Sequence, residues 1–305
     1  MLEKERTRDF RKAAYLSVVV SDVLDRLLWR IRPYEKSAGM ADDFIERAMN
    51  SMTRCFEIHG ANLAFGRILD QLEQLATEGR SIIDPAIPPK PIIGIVGEIY
   101  LRTHVRANQD VIRVLERYGA EVANASIAEW INYTTYDRMR EAKIGLCLSL
   151  KQFRLNRAGI YLKKMLGYGG DLYYQHFRQD QVYRRVMGLL DVIPDHRVDH
   201  LEKTLLEDNL FSFDVGTEAC LSISGIIEYM RKGFNGIVNV YPFTCMPSTI
   251  TSAVIRPIIN QMRLPYLDTP YDGSYQPGRE AAIRTFMYQA QQHFTRNNRK
   301  DTKRQ

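Results

Sequence analysis

The stretch Gly236-Ile237-Val238-Asn239-Val240-Tyr241-Pro242-Phe243-Thr244-Cys245-Met246-Pro247-Ser248 decides the fold. A short apolar run bounded by glycine reads as a strand buried on both faces of a parallel sheet. A proline-bounded turn then presents one cysteine, and a helix is expected to begin near Ser248. Open α/β sheets collect their ligands at the carboxyl ends of such strands. Held between two prolines, Cys245 suits a metal or cluster ligand or a nucleophile. The amides of the following helix would stabilise a thiolate there.

The same grammar recurs upstream and downstream. Residues 84–91 hold four prolines and read as a linker. Residues 92–97, Ile-Ile-Gly-Ile-Val-Gly, read as a first strand, with 97–102 as a loop. A helix is expected over 108–118, stopped by Gly119, and a second strand over 121–124. Residues 134–166 and 179–190 read as helices separated by a flexible break at Gly167-Tyr168-Gly169-Gly170-Asp171, with another helix over 198–206. After Gly216 the alternation resumes: a helix over 217–232, a strand over 236–240, a helix over 249–262, a strand over 264–268 and a last helix over 278–294. Apolar residues recur at three- and four-residue steps over 7–31, and further helices are expected over 41–58 and 62–77.

The expected architecture is a Rossmann/flavodoxin-like three-layer α/β domain with about four parallel strands. A helical N-terminal section (1–83) and the linker (84–91) precede the α/β domain (92–295). That domain carries a helical insertion over about 134–215, and a basic tail (296–305) follows it. The tail's Arg296, Arg299, Lys300, Lys303 and Arg304 are expected to be a solvated run.

Composition narrows the function classes. The chain has 305 residues, 45% hydrophobic and 26% charged, with a net charge of +6. These are ordinary values for a globular chain. No apolar run reaches the length of a membrane span, and the N-terminus lacks the apolar stretch of a signal peptide. A cytoplasmic location is expected, with neither membrane nor nucleic acid as partner. The four cysteines, Cys55, Cys147, Cys220 and Cys245, form no CxxC pair and read as reduced thiols. The first three are expected in cores. The histidines show no zinc-ligand spacing, and no GxSxG motif is present.

Parallel topology would bring the strand ends to one edge. Glu98 and Arg102 follow the first strand, Ser126, Glu129 and Trp130 the second. Thr244, Cys245 and Ser248 follow the third, and Asp268, Tyr271 and Asp272 the fourth. These groups would form a polar rim, although Ser126 and Ser248 also suit ordinary helix caps.

Several of these stretches carry a family likeness. Val96-Gly97-Glu98-Ile99-Tyr100-Leu101-Arg102 resembles the "VGEIYVR" opening of the C-terminal α/β region in proteins related to 2-hydroxyacyl-CoA dehydratase activases. The run from Leu115 to Val122 and Glu129-Trp130-Ile131 continue in register. The segment from Gly236 to Pro247 is similar to that family's "GIINVMPFTCMPG", and Tyr271-Asp272-Gly273 to its last strand ending. Arg32-Pro33-Tyr34-Glu35 also looks familial. The resemblance implies a dehydratase-like component of an oxygen-sensitive redox system in acyl-CoA metabolism. In such systems an ATP-hydrolysing activase passes an electron to an iron–sulfur component. It implies a [4Fe–4S] cluster with Cys245 as a ligand and Thr244, Met246 and Ser248 shaping its pocket. Glu98, Arg102, Glu129, Trp130, Tyr271 and Asp272 are rim candidates for substrate, and Glu98 with Arg102 for a mutual ion pair. Because only Cys245 falls on a family motif, an activase ATPase or a cysteine-bearing dehydratase-like subunit is the implied partner, with an acyl-CoA as ligand. The alternative is a non-catalytic interaction subunit without its own cluster.

Overall fold

The structure, a computed structural model, describes residues 2–59 and 65–302. The expectations for Asn62 and for Lys303 and Arg304 lie outside the described residues. The chain divides into two compact units. One holds Met1–Leu27, Asp42–Ser81 and Ser126–Asp199; the other holds Leu28–Ala41, Ile82–Ala125 and His200–Gln305.

The second unit is built on four parallel strands: β1 (Ile92–Gly97), β2 (Glu121–Asn124), β3 (Gly236–Pro242) and β4 (Tyr266–Tyr271), in the order β2-β1-β3-β4. The chain leaves β1 for β2 on one side and returns to β3 on the other. The strand order therefore reverses between β1 and β3, which is a topological switch point. The short helices α4 (Ile99–Thr103) and α5 (Val111–Arg117) join β1 to β2. Helices α9 (Ala219–Arg231), α10 (Met246–Met262) and α11 (Gly278–Thr302) accompany the later strands.

Alternation along β1 sorts the two faces. Ile93 and Ile95 are fully buried in a core with Leu115 of α5 and Ile283, Phe286 and Met287 of α11. A Cβ on Gly94 would instead strike the Tyr229 ring of α9 at 2.4 Å. Helices thus cover both faces of the sheet, giving the expected three-layer arrangement. Tyr34 ties the N-terminal segment of this unit to the sheet. Its hydroxyl donates to Glu121 at 2.7 Å and accepts from the Lys90 amide at 3.0 Å. Arg32 holds the Glu116 carboxylate at 2.6 Å.

The first unit is helical. It contains most of α1 (Leu2–Ile31) and of α2 (Met40–His59), α3 (Phe65–Ile82), and the hairpin of α6 (Ile127–Lys151) and α7 (Leu155–Met187). Helix α8 (Val198–Glu207) runs from the end of this unit into the other.

Several boundaries differ from the sequence reading. Helix α7 passes straight through Gly167–Asp171, and the break falls at 152–154, where Phe153 takes φ 55°. Glycines weaken an isolated helix, but packing of α7 against α6 overrides that preference. Residues 99–103 form α4 rather than loop. Strand β4 continues through Pro270 to Tyr271 because it is an edge strand, where proline removes no required ladder bond. Helix α11 extends to Thr302, so the basic tail begins as helix.

Candidate functional site: the strand-end rim

In the second unit, main-chain bonds join three strand ends. Gly97 takes φ +120°, and the Glu98 amide donates to the Val240 carbonyl at 2.9 Å. A Cβ on Gly97 would lie 2.0 Å from that oxygen, so the glycine permits the approach of β1 to β3. The Phe243 amide donates to the Tyr271 carbonyl at 2.8 Å, closing β3 onto β4.

Glu98 caps α4. Its carboxylate accepts from the Tyr100 and Leu101 amides at 3.0 and 2.9 Å. The expected Glu98–Arg102 ion pair does not form among the described residues, because the carboxylate is turned to the main chain. Arg102 is buried, its carbonyl accepts from Asn124 at 2.8 Å, and its Nε has no hydrogen-bond partner.

After β3 the chain makes a tight turn. Thr244 takes φ 68°, and the Cys245 amide donates to the Pro242 carbonyl at 2.9 Å. Cys245 is the N-cap residue of α10, whereas Ser248 was expected to begin that helix. Ser248 lies in the first turn and is buried; its carbonyl accepts from Asn239 at 3.4 Å. The helix starts early because Pro247 tolerates a first-turn position, where its missing N–H costs nothing. The Cys245 carbonyl accepts from the Thr249 amide at 3.0 Å, but its thiol makes no capping bond. Cys245 is half-buried, and its neighbours in the turn, Phe243 and Met246, are exposed.

A polar cluster holds α10 in place. The Asp268 Oδ1 atom accepts from Ser252 at 2.6 Å, Asn239 at 3.0 Å and Tyr266 at 3.0 Å. Arg256 reaches Oδ2 at 2.7 Å. Burial, reinforced by the Asp268 carboxylate, pushes the Tyr266 phenol well above its ordinary range. The same causes raise Tyr241, so both phenols stay protonated at neutral pH.

At the end of β4, the Arg279 guanidinium lies 4.0 Å from the Tyr271 ring centroid. Arg279 also donates to Gln109 at 2.6 Å and to the Pro270 carbonyl at 2.9 Å. Gln109, Tyr271 and Arg279 line a cleft of about 180 Å³ between α5 and α11. Asp272 is exposed and accepts from the Ser274 hydroxyl and amide at 2.6 and 2.9 Å, which lowers its pKa.

The remaining rim candidates belong to the helical unit. Ser126 N-caps α6, bonding the Glu129 amide at 3.0 Å, and donates to Asp195 at 2.7 Å. Glu129 is buried and accepts from the His196 amide at 3.4 Å; Trp130 is half-buried on α6. Around them lies a buried network that the sequence reading missed. Asp195 pairs with Arg26 and accepts from Gln179 at 2.6 Å and Tyr183 at 3.1 Å. Asn132 donates to Gln179 at 2.7 Å and accepts from Tyr15 at 3.0 Å. Asp22 receives the Ile127 and Ala128 amides at the start of α6. Each side chain of the Arg26, Asp195, Gln179 and Asn132 set is held by at least one hydrogen bond within the unit, which marks the network as scaffold.

A [4Fe–4S] cluster fits the chain poorly on its own. Cys220 is fully buried and its thiol faces the Ser212 carbonyl at 3.6 Å. Cys55 and Cys147 belong to the helical unit, where Cys147 is exposed and Cys55 half-buried rather than in a core. No group of three or more His, Cys, Asp or Glu placed to hold a metal occurs among the described residues. No helix among them is long and apolar enough to cross a membrane. Comparisons with protein-family models, curated proteins and solved structures gave no match.

Proposed function

We propose that the chain is a cytoplasmic, dehydratase-like component of acyl-CoA metabolism that contributes Cys245 to an iron–sulfur site completed by a second, cysteine-bearing subunit. The observation that carries this reading is the Cys245 thiol, half-buried at a strand-end rim and free of capping duty. Support comes from the motif stretches that carry the family resemblance, two of which end β1 and β3. Glu98 and Cys245 follow β1 and β3, the pair that flanks the switch point. Thiolates are the ordinary protein ligands of such clusters. In this role Cys245 supplies one ligand, and Thr244 and Met246 shape its surroundings.

A second reading has its own observation. With no further ligand gathered around Cys245 among the described residues, the chain also suits a non-catalytic interaction subunit. Anaerobic purification of the assembled complex, followed by iron, sulfide and visible-absorption measurements, separates the two. Iron and sulfide that depend on Cys245 support the first reading. An iron-free, colourless complex supports the second.

A further inference from the structure

The end of the α6–α7 hairpin is packed inside out. Its buried positions carry small residues: Ala142, Ser149 and Ala158. A Cβ on Gly145 would meet the Tyr161 ring at 2.5 Å, so close approach of the two helices requires glycine there. The large apolar side chains point outward instead: Leu148, Leu150, Leu155, Ile160 and Leu166 are each at least half exposed. At the apex, Phe153 is 90% exposed and takes φ 55°, a conformation that disfavours a bulky residue. Packing within the hairpin does not account for phenylalanine at that position, where glycine or asparagine would be unstrained.

Charge adds a second, independent observation. Between Glu141 and Asp171 the sequence holds Lys143, Lys151, Arg154, Arg157, Lys163 and Lys164 and no carboxylate. All six cations are exposed. From this pattern we infer that the hairpin apex, about residues 143–166, docks on an anionic lipid surface. Small residues between helices with large aliphatics outside is the packing used where the surroundings are hydrocarbon. Interleaved lysines and arginines can run their stems along the acyl boundary and leave their charges at the phosphates.

The alternatives fit less well. A second copy would bring six cations against six. Nucleic acid would gain nothing from exposed leucines and isoleucines. A protein groove covers one face, whereas apolar side chains here project from both helices and the apex. Docking at the interface requires no membrane-spanning helix, so the lack of one among the described residues is compatible with it. The inference departs from the sequence-based expectation of no membrane partner, and it is independent of the proposed function.

Flotation of the full chain with vesicles tests the idea. Vesicles of phosphatidylcholine containing phosphatidylglycerol should carry the protein at least about tenfold better than phosphatidylcholine alone. Raising salt from about 0.1 M to about 1 M should release much of it. Phe153→Gly should weaken binding severalfold without loss of stability, because it relieves the left-handed strain. Lys163→Glu with Lys164→Glu should weaken it about tenfold or more with helicity unchanged by circular dichroism. Equal recovery on both vesicle types would overturn the inference, as would unaltered binding by both folded variants. A dimer in solution that Phe153→Gly dissociates would also overturn it, by assigning the apex to self-association.

Discussion

Gly97 and Val240 approach so closely that a Cβ on the glycine would stand 2.0 Å from the valine carbonyl oxygen. That approach joins β1 to β3 at the point where strand order reverses, and the Glu98 amide completes it. Gly97→Ala combines a clash with main chain and a positive φ. It is expected to cost roughly 2–4 kcal/mol, read as a lower urea midpoint with unchanged slope. A loss below about 0.5 kcal/mol would contradict the close approach.

Asp22 provides a pH-dependent prediction. Burial, with the nearby Asp195 carboxylate, raises its pKa from 3.8 to about 7, despite the two amides and Arg26. The folded state therefore binds this proton more tightly than the unfolded chain does. Stability contributed by the protonated group is complete below about pH 4 and is lost as pH rises toward 7. Asp22→Asn should remove that decline. Parent and variant stabilities, compared by denaturant unfolding at pH 5 and pH 8, should diverge by on the order of 1–3 kcal/mol between the two conditions. A difference independent of pH would contradict the raised pKa.

Arg26 and Asp195 form a buried ion pair in the helical unit. Removing only one partner leaves the other charge enclosed. Arg26→Ala should cost about 3–5 kcal/mol, whereas Arg26→Met with Asp195→Asn, which keeps an acceptor for Ser126, Gln179 and Tyr183, should recover much of the loss. Thermal unfolding of the two variants checks the pair. Equal stabilities would show that charge burial is not the source of the cost.

Ser126→Ala removes both an α6 cap and a bond to Asp195. A lone cap is worth about 1 kcal/mol, so a larger loss in chemical denaturation is expected here. In an Asp195→Leu background the loss should shrink to the cap alone. An unchanged loss in that background would remove Asp195 from the account.

How much was legible follows from how local each signal is. The strands announce themselves because short apolar runs ending in glycine or proline are complete within a few residues. Pro270 blurred the end of β4, since its tolerance depends on β4 being an edge, which is a property of the sheet. The glycines at 167–170 suggested a break because packing against α6 is invisible in the local sequence, while the strained turn at Phe153 carries no turn residue. Cys245 was legible as the presented residue, its two prolines marking the turn. The partners of Glu98 were not legible: capping of α4 displaced the expected pair with Arg102. The Asp195 network was hidden for a different reason. It gathers Arg26, Ser126, Gln179 and Tyr183 from distant parts of the sequence, and no motif marks them.

The proposed function turns on one sulfur atom, that of Cys245. The most direct measurement is the iron and acid-labile sulfide content of the anaerobically isolated complex, compared between the parent and Cys245→Ser. If Cys245 is a cluster ligand, the parent complex holds iron and sulfide and the variant loses most of both, with the subunits still associated. Equal iron in the two, or none in either, would contradict it.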